Sequence, residues 1–164
     1  MTEALKLIEE WCFEQGVHCE RTGSASFALT LPGTRKLSTV CNLIVGEHSL
    51  RVEAFVMRRP DENHERLWAW LLRRNARMYG VAFTIDTAGD VYLTGRVPLH
   101  AVTADELDRL LGSVVTYADE SFNPMLEIGF GGAIRREWAW RVSRGESLAN
   151  LKAFEDFVAR GADR

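Results

Sequence analysis

Residues 81–122 constrain the fold most, because they combine a β-hairpin pattern with a sharply marked helix start. Apolar and polar residues alternate on both sides of a turn at residues 87–90, as in two half-buried antiparallel strands. Pro98 ends the second strand, since it has no amide hydrogen to donate. Thr103 and Glu106 have the spacing of a capping box, and the residues behind them give one apolar helix face. The segment therefore predicts strand, turn, strand and helix in that order.

Four further strands precede this segment. They are predicted at residues 17–21, 26–31, 37–45 and 50–56, each bounded by turn residues. Since strands joined by tight turns pair antiparallel, the predicted class is α+β.

Two helices complete this part of the chain. The first is predicted to be capped by Thr2 and ended by Gly16, and the second to be opened by Pro60 and closed by Gly80. The predicted architecture is an antiparallel sheet flanked by helices in the order α-β-β-β-β-α-β-β-α, with a helical C-terminal appendix.

The second half of the chain carries signals of a break. Asn123-Pro124 predicts the end of the third helix, and the glycine-rich residues 129–132 predict a flexible connector. A short helix is expected at residues 133–144, and a final helix after Gly145. We expect an α+β domain at residues 1–130 and a helical C-terminal extension at residues 131–164. The extension is expected to pack on the domain, because about 30 residues are too few for a separate core.

Charge and cysteine content limit the possible functions. The 164-residue chain has 20 basic and 23 acidic residues, so its net charge of -3 does not favour nucleic acid as a partner. No apolar run approaches the roughly 20 residues of a membrane-spanning helix, and the first residues lack a signal-peptide pattern. The odd number of cysteines favours reduced, buried thiols, and we expect a cytoplasmic protein.

The sequence lacks the motifs of known catalytic and metal sites. Cys12, Cys19, Cys41 and His18 form neither a CxxC pair nor another close ligand pair. The serines lie in no nucleophile elbow, and the glycines at 129–132 lack the lysine of a phosphate loop. We therefore expect no enzymatic activity, no metal and no cofactor.

Several strings taken together resemble one protein family. Residues 71–75 (LLRRN), 89–93 (GDVYL), 96–99 (RVPL) and 103–107 (TADEL) are similar to the bacterial YbjN family, and the likeness covers about residues 3–130. The resemblance implies a type III secretion chaperone-like fold, often a homodimer, and a role as a bacterial sensory transduction regulator. It brings no catalytic motif, so no site residue transfers from it.

The candidate binding surface lies on the second helix. Trp70 projects about 130° from the centre of the apolar face, towards the arginines of the same helix. A tryptophan framed by arginines is typical of a binding hot spot, and the alternative is that Trp70 packs under the C-terminal segment. Trp138 and Trp140 cannot both enter one core face, so one of them is expected to meet a partner. The predicted partner-binding residues are Arg66, Trp70, Arg73, Arg74, Arg77, Trp138 and Trp140.

These observations favour a non-enzymatic, cytoplasmic, chaperone-like regulatory protein that forms a homodimer and binds another protein. Two alternatives stay open. The arginine-rich second helix could bind nucleic acid with Trp70 as a stacking platform, although the net negative charge disfavours this. A small-molecule sensor with an apolar pocket between sheet and helix is the other alternative.

Overall fold

The structure, a computed structural model, describes residues 1–162. Its helices are α1 (Thr2–Gln15), α2 (His64–Asn75), α3 (Ala104–Arg144) and α4 (Glu155–Ala162), with 3-10 turns at Leu99–Ala101 and Ala149–Phe154. Its strands are β1 (His18–Gly23), β2 (Ser26–Pro32), β3 (Ser38–Val45), β4 (Ser49–Met57), β5 (Ala82–Ile85) and β6 (Val91–Pro98). The strands form one sheet in the order β1-β2-β3-β4-β6-β5, and neighbouring strands are antiparallel. The predicted α+β class is confirmed.

The two faces of the sheet differ in burial because apolar and polar residues alternate along the strands. One face packs against the helices and has no exposed surface at its centre; it includes Leu29, Leu43, Val52 and Leu93. Each of the first three helices contributes to this core, through residues that include Ile8, Trp11, Leu67, Leu71, Leu107 and Leu110. On the opposite face, Val40 is 46% exposed and Phe55 is 39% exposed.

The hairpin and helix start predicted at residues 81–122 are confirmed. The hairpin turn is closed by Asp86, whose Oδ1 accepts hydrogen bonds from the backbone N–H of Ala88 and of Asp90, both at 2.9 Å. Thr103 Oγ1 accepts a hydrogen bond from the backbone N–H of Glu106 at 3.1 Å, so the predicted N-cap is present. The Glu106 carboxylate is engaged by Tyr79 and Arg109 rather than by the cap residue.

The limits of α1 and α2 correct the predictions in part. Gly16 ends α1 in the left-handed conformation, as predicted, but Met1 rather than Thr2 is the N-cap residue. Helix α2 begins at His64 and ends at Asn75, so it is shorter than predicted at both ends. Its predicted first turn stays outside the helix, because the N–H groups of residues 61 and 62 donate to the carbonyl oxygen of Gly129.

The break predicted in the third helix at Asn123-Pro124 is wrong, whereas a kink does lie within residues 129–132, where the second break was predicted. Helix α3 continues past Pro124 to Arg144 and bends at Phe130, whose φ of -136° and ψ of 20° are not helical. Packing compensates for the hydrogen bond that the proline removes, since Ser121 and Met125 on either side of it have no exposed surface. Gly129 is buried because the chain approaches Pro60 closely, and an added Cβ would lie 2.7 Å from the Cβ of that proline. The glycines therefore serve close packing, not a flexible connector.

The segment after Gly145 folds back on α3. The Arg135 guanidinium stacks over the Phe157 ring at 3.9 Å, and Arg160 Nη2 lies 3.8 Å from Glu127 Oε2. Instead of one final helix, a 3-10 turn precedes α4. Helix α3 is kinked at residue 130, and the division into units at 1–130 and 131–164 stays a prediction. Residues 163 and 164 of the predicted extension lie outside the described residues.

Candidate partner-binding surface

Helix α2 and the turn that follows it place four of the predicted site residues at the edge of the core: Trp70, Arg73, Arg74 and Arg77. Leu71 is buried in the core, whereas Trp70, one residue earlier, is half-buried and packs on the core from its rim. Spacings of three and four residues bring Arg73 and Arg74 to the same side of α2 as Trp70, and Arg77 lies in the turn that follows the helix.

The end of α2 is held in place by its last residue. The Asn75 side chain donates to the carbonyl oxygen of Phe83 at 3.1 Å and accepts from the N–H of Phe83 at 2.7 Å. These two bonds fasten the end of the helix to β5. The arginines next to Asn75 in the chain are therefore positioned by the sheet.

A cavity of about 490 Å³ lies where the end of α2 meets α3. We call it the arginine cavity; its lining residues are Trp70, Arg73, Arg74, Arg77, Met78, Tyr117 and Glu120. None of the described lining residues comes from the segment after Gly145, and within the cavity Trp70 faces residues of α3.

Arg74 is the central side chain of the arginine cavity. Its guanidinium carbon lies 4.8 Å from the centroid of the Trp70 ring, within the range of a cation–π contact. Its Nη2 atom lies 3.8 Å from Glu120 Oε2, and its Nε atom is buried without a hydrogen-bond partner in residues 1–162. The Arg74 side chain is 34% exposed, so an acceptor from outside can reach the exposed part of the guanidinium but not the buried Nε.

The arginine cavity carries an excess of positive charge. Arg73 and Arg77 are exposed, and neither has an ion-pair partner among residues 1–162. Three arginines therefore face one glutamate. A concave surface of this composition attracts negative groups.

The structure separates the other predicted site residues from the arginine cavity. Arg66 lines a neighbouring cavity with His64 and Arg73, and a further one with Arg135 and Arg160. Trp138 is half-buried and Trp140 is 48% exposed near the end of α3, where Arg144 lies 5.1 Å from the centroid of the Trp140 ring. Neither tryptophan lines a cavity with the arginines of α2.

Three lining residues are absent from the predicted set: Met78, Tyr117 and Glu120. The Tyr117 hydroxyl accepts a hydrogen bond from the backbone N–H of Tyr79 at 2.8 Å, which holds the segment after α2 against α3. Tyr117 and Glu120 are three residues apart, so they share one side of α3. This spacing is visible in the sequence, but the pairing of that side with α2 is not.

The three cysteines are free, and two of them, Cys12 and Cys41, are poorly suited to act as nucleophiles. Burial raises the pKa of the Cys41 thiol to about 12. Burial, followed by a hydrogen bond and the charge of Cys19, raises the pKa of Cys12 to about 12. Reactive thiols need the opposite shift.

The described residues also bear on metal binding and on membrane insertion. Across residues 1–162, no three His, Cys, Asp or Glu side chains are grouped so that they could hold a metal ion. None of the helices in this range has the length and apolar character needed to cross a membrane.

Comparison with known proteins identifies the family. The YbjN family model, described as "Putative bacterial sensory transduction regulator", matches residues 4–127. The chain belongs to the YbjN family. An uncharacterized protein of Mycobacterium tuberculosis is 59% identical over 136 residues, which cover 82% of this chain and 74% of the relative. The part matched by the family model, residues 4–127, contains the whole arginine cavity but neither Trp138 nor Trp140.

Solved structures show the same fold at low sequence identity. The structure of the ExsC–ExsE complex aligns with a TM-score of 0.57 and 17% identity, covering 74% of this chain and 92% of the other. The Yersinia pestis type III secretion chaperone SycH aligns at 0.51 and 18%, covering 70% and 96%. The structure of YbjN from E. coli aligns at 0.52 and 16%, covering 71% and 89%. The predicted type III secretion chaperone-like fold of this YbjN family member is confirmed.

Proposed function

We propose that this YbjN family member is a non-enzymatic, chaperone-like regulatory protein of the cytoplasm that binds another protein. The observation that carries the proposal is the arginine cavity, where Trp70 and three arginines form a concave, positively charged surface beside a well-packed core. Tryptophan and arginine are enriched at the energetic centres of protein interfaces. Three free cysteines support a reducing compartment.

The structural neighbours support this class of function. SycH was solved in complex with a fragment of another protein, and ExsC was solved in complex with ExsE. A shared fold does not transfer a partner, so the partner of this chain has to be found by experiment.

We further propose that a second copy of the chain covers the outer face of the sheet. Val40 and Phe55 are exposed on this face, and Phe55 packs edge-on against Tyr92 at 5.5 Å. Exposed aromatic and β-branched residues on a sheet are typical of surfaces that become buried by association. Sedimentation equilibrium should show a dimer for the wild type and a monomer for Phe55→Glu. Phe13→Glu, which changes an apolar residue on α1 that is 88% exposed, should remain dimeric. A monomeric wild type would reject the dimer.

Capture from a lysate of the native host tests the protein-binding function. Wild-type protein and the Trp70→Ala/Arg73→Ala variant are used as bait, and retained proteins are quantified by mass spectrometry. Arg136→Ala serves as the control, because Arg136 is exposed on α3 and does not line the arginine cavity. A protein retained by the wild type and the control, but not by the double variant, supports the proposal. The same retained proteins for all three baits would reject this surface.

A further inference from the structure

We infer that the arginine cavity binds a carboxylate side chain from an acidic segment of the partner, and that Glu120 occupies this carboxylate position until the segment binds. The inference rests on the proposed protein-binding function and specifies its chemistry. It also gives Glu120 a defined role as an internal competitor.

Glu120 shows that a carboxylate fits in the arginine cavity. Its Oε2 atom lies 3.8 Å from Arg74 Nη2. Strong guanidinium–carboxylate hydrogen bonds are about 2.7–2.9 Å long, so this ion pair is loose. The Glu120 side chain is 54% exposed and can leave the arginine without disturbing the core.

The arginines of the cavity can bind a carboxylate that pairs with them more closely than Glu120 does. The Arg74 side chain is 34% exposed and its ion pair with Glu120 is loose, and Arg73 and Arg77 have no ion pair among residues 1–162. A carboxylate that enters from outside can accept from Arg74 and also reduce the repulsion among the three guanidinium groups. Glu120 alone cannot neutralise three positive charges.

The geometry of Trp70 favours an acidic peptide over nucleic acid. A base-stacking platform needs a free aromatic face. The Arg74 guanidinium lies 4.8 Å from the Trp70 ring centroid, and the half-buried indole also packs on the core. The indole is thus already engaged, whereas the N–H groups of the arginines remain available to an acceptor.

Fluorescence anisotropy at low salt tests the inference. The probes are a short fluorescein-labelled peptide of alternating glutamate and alanine, its twin with glutamine in place of glutamate, and a labelled thymidine oligonucleotide. The wild type is expected to bind the glutamate peptide and to bind the glutamine twin at least about fivefold more weakly, given what partly exposed ion pairs contribute.

Substitutions in the arginine cavity should shift the affinity for the glutamate peptide in opposite directions. Arg73→Ala and Arg77→Ala are each expected to weaken binding about two- to fivefold, and Glu120→Gln to tighten it about two- to fivefold. Two controls carry the same charge changes elsewhere: Arg136→Ala on α3 and Glu14→Gln on α1. Both controls should bind like the wild type.

Each contrary result overturns a stated part of the inference. Equal binding of the two peptides would reject carboxylate recognition. Weaker or unchanged binding by Glu120→Gln would reject the competitor role of Glu120. Tighter binding of the oligonucleotide, lost in Arg73→Ala, would assign the cavity to nucleic acid instead.

The peptide assay and the lysate capture test different claims, so a negative result in one can be told from a negative result in the other. If the Trp70→Ala/Arg73→Ala bait loses a natural partner but the glutamate peptide does not bind, the partner-binding function stands and its acidic chemistry is rejected. If the bait loses no partner and the peptide does not bind, both proposals are rejected.

Discussion

The inner face of the sheet and the arginine cavity differ in how completely their side chains find contacts and polar partners within the chain. On the inner face, Val52 and Leu93 lie on neighbouring strands and have no exposed surface, so each has its contacts within the chain. In the arginine cavity, Arg73 and Arg77 lack ion-pair partners within residues 1–162, and Arg74 Nε lacks a hydrogen-bond partner there. The first region therefore stabilises the fold, and the unpaired groups of the second are the reason that we propose a contact with another molecule there.

The largest effect is expected from a cavity made in the inner face. Leu93→Ala should lower the free energy of unfolding by about 3 kcal/mol, because it removes a side chain that is fully enclosed by the sheet and the helices. Urea unfolding followed by circular dichroism measures the change. A loss below about 1 kcal/mol would show that this face is not the main source of stability.

The next largest effect on the free energy of unfolding is expected at one of two glycines of α3. Gly129→Ala should lower the free energy of unfolding by about 2 kcal/mol, since its Cβ would lie 2.7 Å from that of Pro60. Gly112→Ala is the matched control: it has no atom within 4 Å of an added Cβ, and it should raise the free energy by up to about 1 kcal/mol. Equal effects at the two sites would contradict the close packing assigned to the glycine-rich bend.

A pH-dependent effect comes from Asp119, the neighbour of Glu120. Its Oδ1 accepts backbone hydrogen bonds from Thr34, Arg35 and Lys36 at 2.8, 2.6 and 3.1 Å. Burial alone would raise the pKa of Asp119, but these three donors and the Arg35 charge hold the pKa below its usual range. Because the pKa is lower in the folded state, the stabilisation is present above the unfolded pKa of about 4 and is lost as the pH falls through the folded value.

Asp119→Asn should therefore be about 1 kcal/mol less stable than the wild type at pH 6, and the difference should shrink as the pH falls below about 4. Urea unfolding across this pH range measures it. Glu120→Gln changes the same charge one residue away and should stay within about 0.5 kcal/mol of the wild type at pH 6. A constant difference for Asp119→Asn across the range would contradict the idea that the Asp119 charge holds the backbone of residues 34–36.

The smallest effect on stability is expected in the arginine cavity. Arg73→Ala/Arg77→Ala should change the free energy of unfolding by no more than about 0.5 kcal/mol per site, because both side chains are exposed and neither has an ion-pair partner in the described part of the chain. Urea unfolding at pH 7 tests this. A loss above about 2 kcal/mol would mean that these arginines serve the fold.

The sequence predicts local elements well where one signal decides them. The alternation around residues 87–90 and the Thr103 cap fix the hairpin and the start of α3, because both depend on neighbours in the chain. The break predicted at Pro124 is wrong, since the contacts that keep the helix continuous come from distant residues. The backbone N–H groups of Asp61 and Glu62 donate to the carbonyl oxygen of Gly129, so these residues stay outside α2. This contact also joins residues far apart in the sequence.

The candidate site shows the same limit. Helical spacing is sufficient to group Trp70 with Arg73 and Arg74, because all three lie near the end of one helix. Arg77 joins them from the turn after α2. Tyr117 and Glu120 enter the cavity only through the packing of α3 against the end of α2. Helical spacing alone cannot exclude Arg66 from the group.

The most direct test of the account is partner capture by a charge-reversed protein of unchanged stability. Arg73→Glu/Arg77→Glu is compared with Arg136→Glu as bait in a lysate of the native host, after urea unfolding has shown that both variants are folded. The account predicts that at least one protein retained by the wild type and by Arg136→Glu is lost from the doubly substituted bait. Retention of the same proteins in equal amounts by all three baits would contradict it.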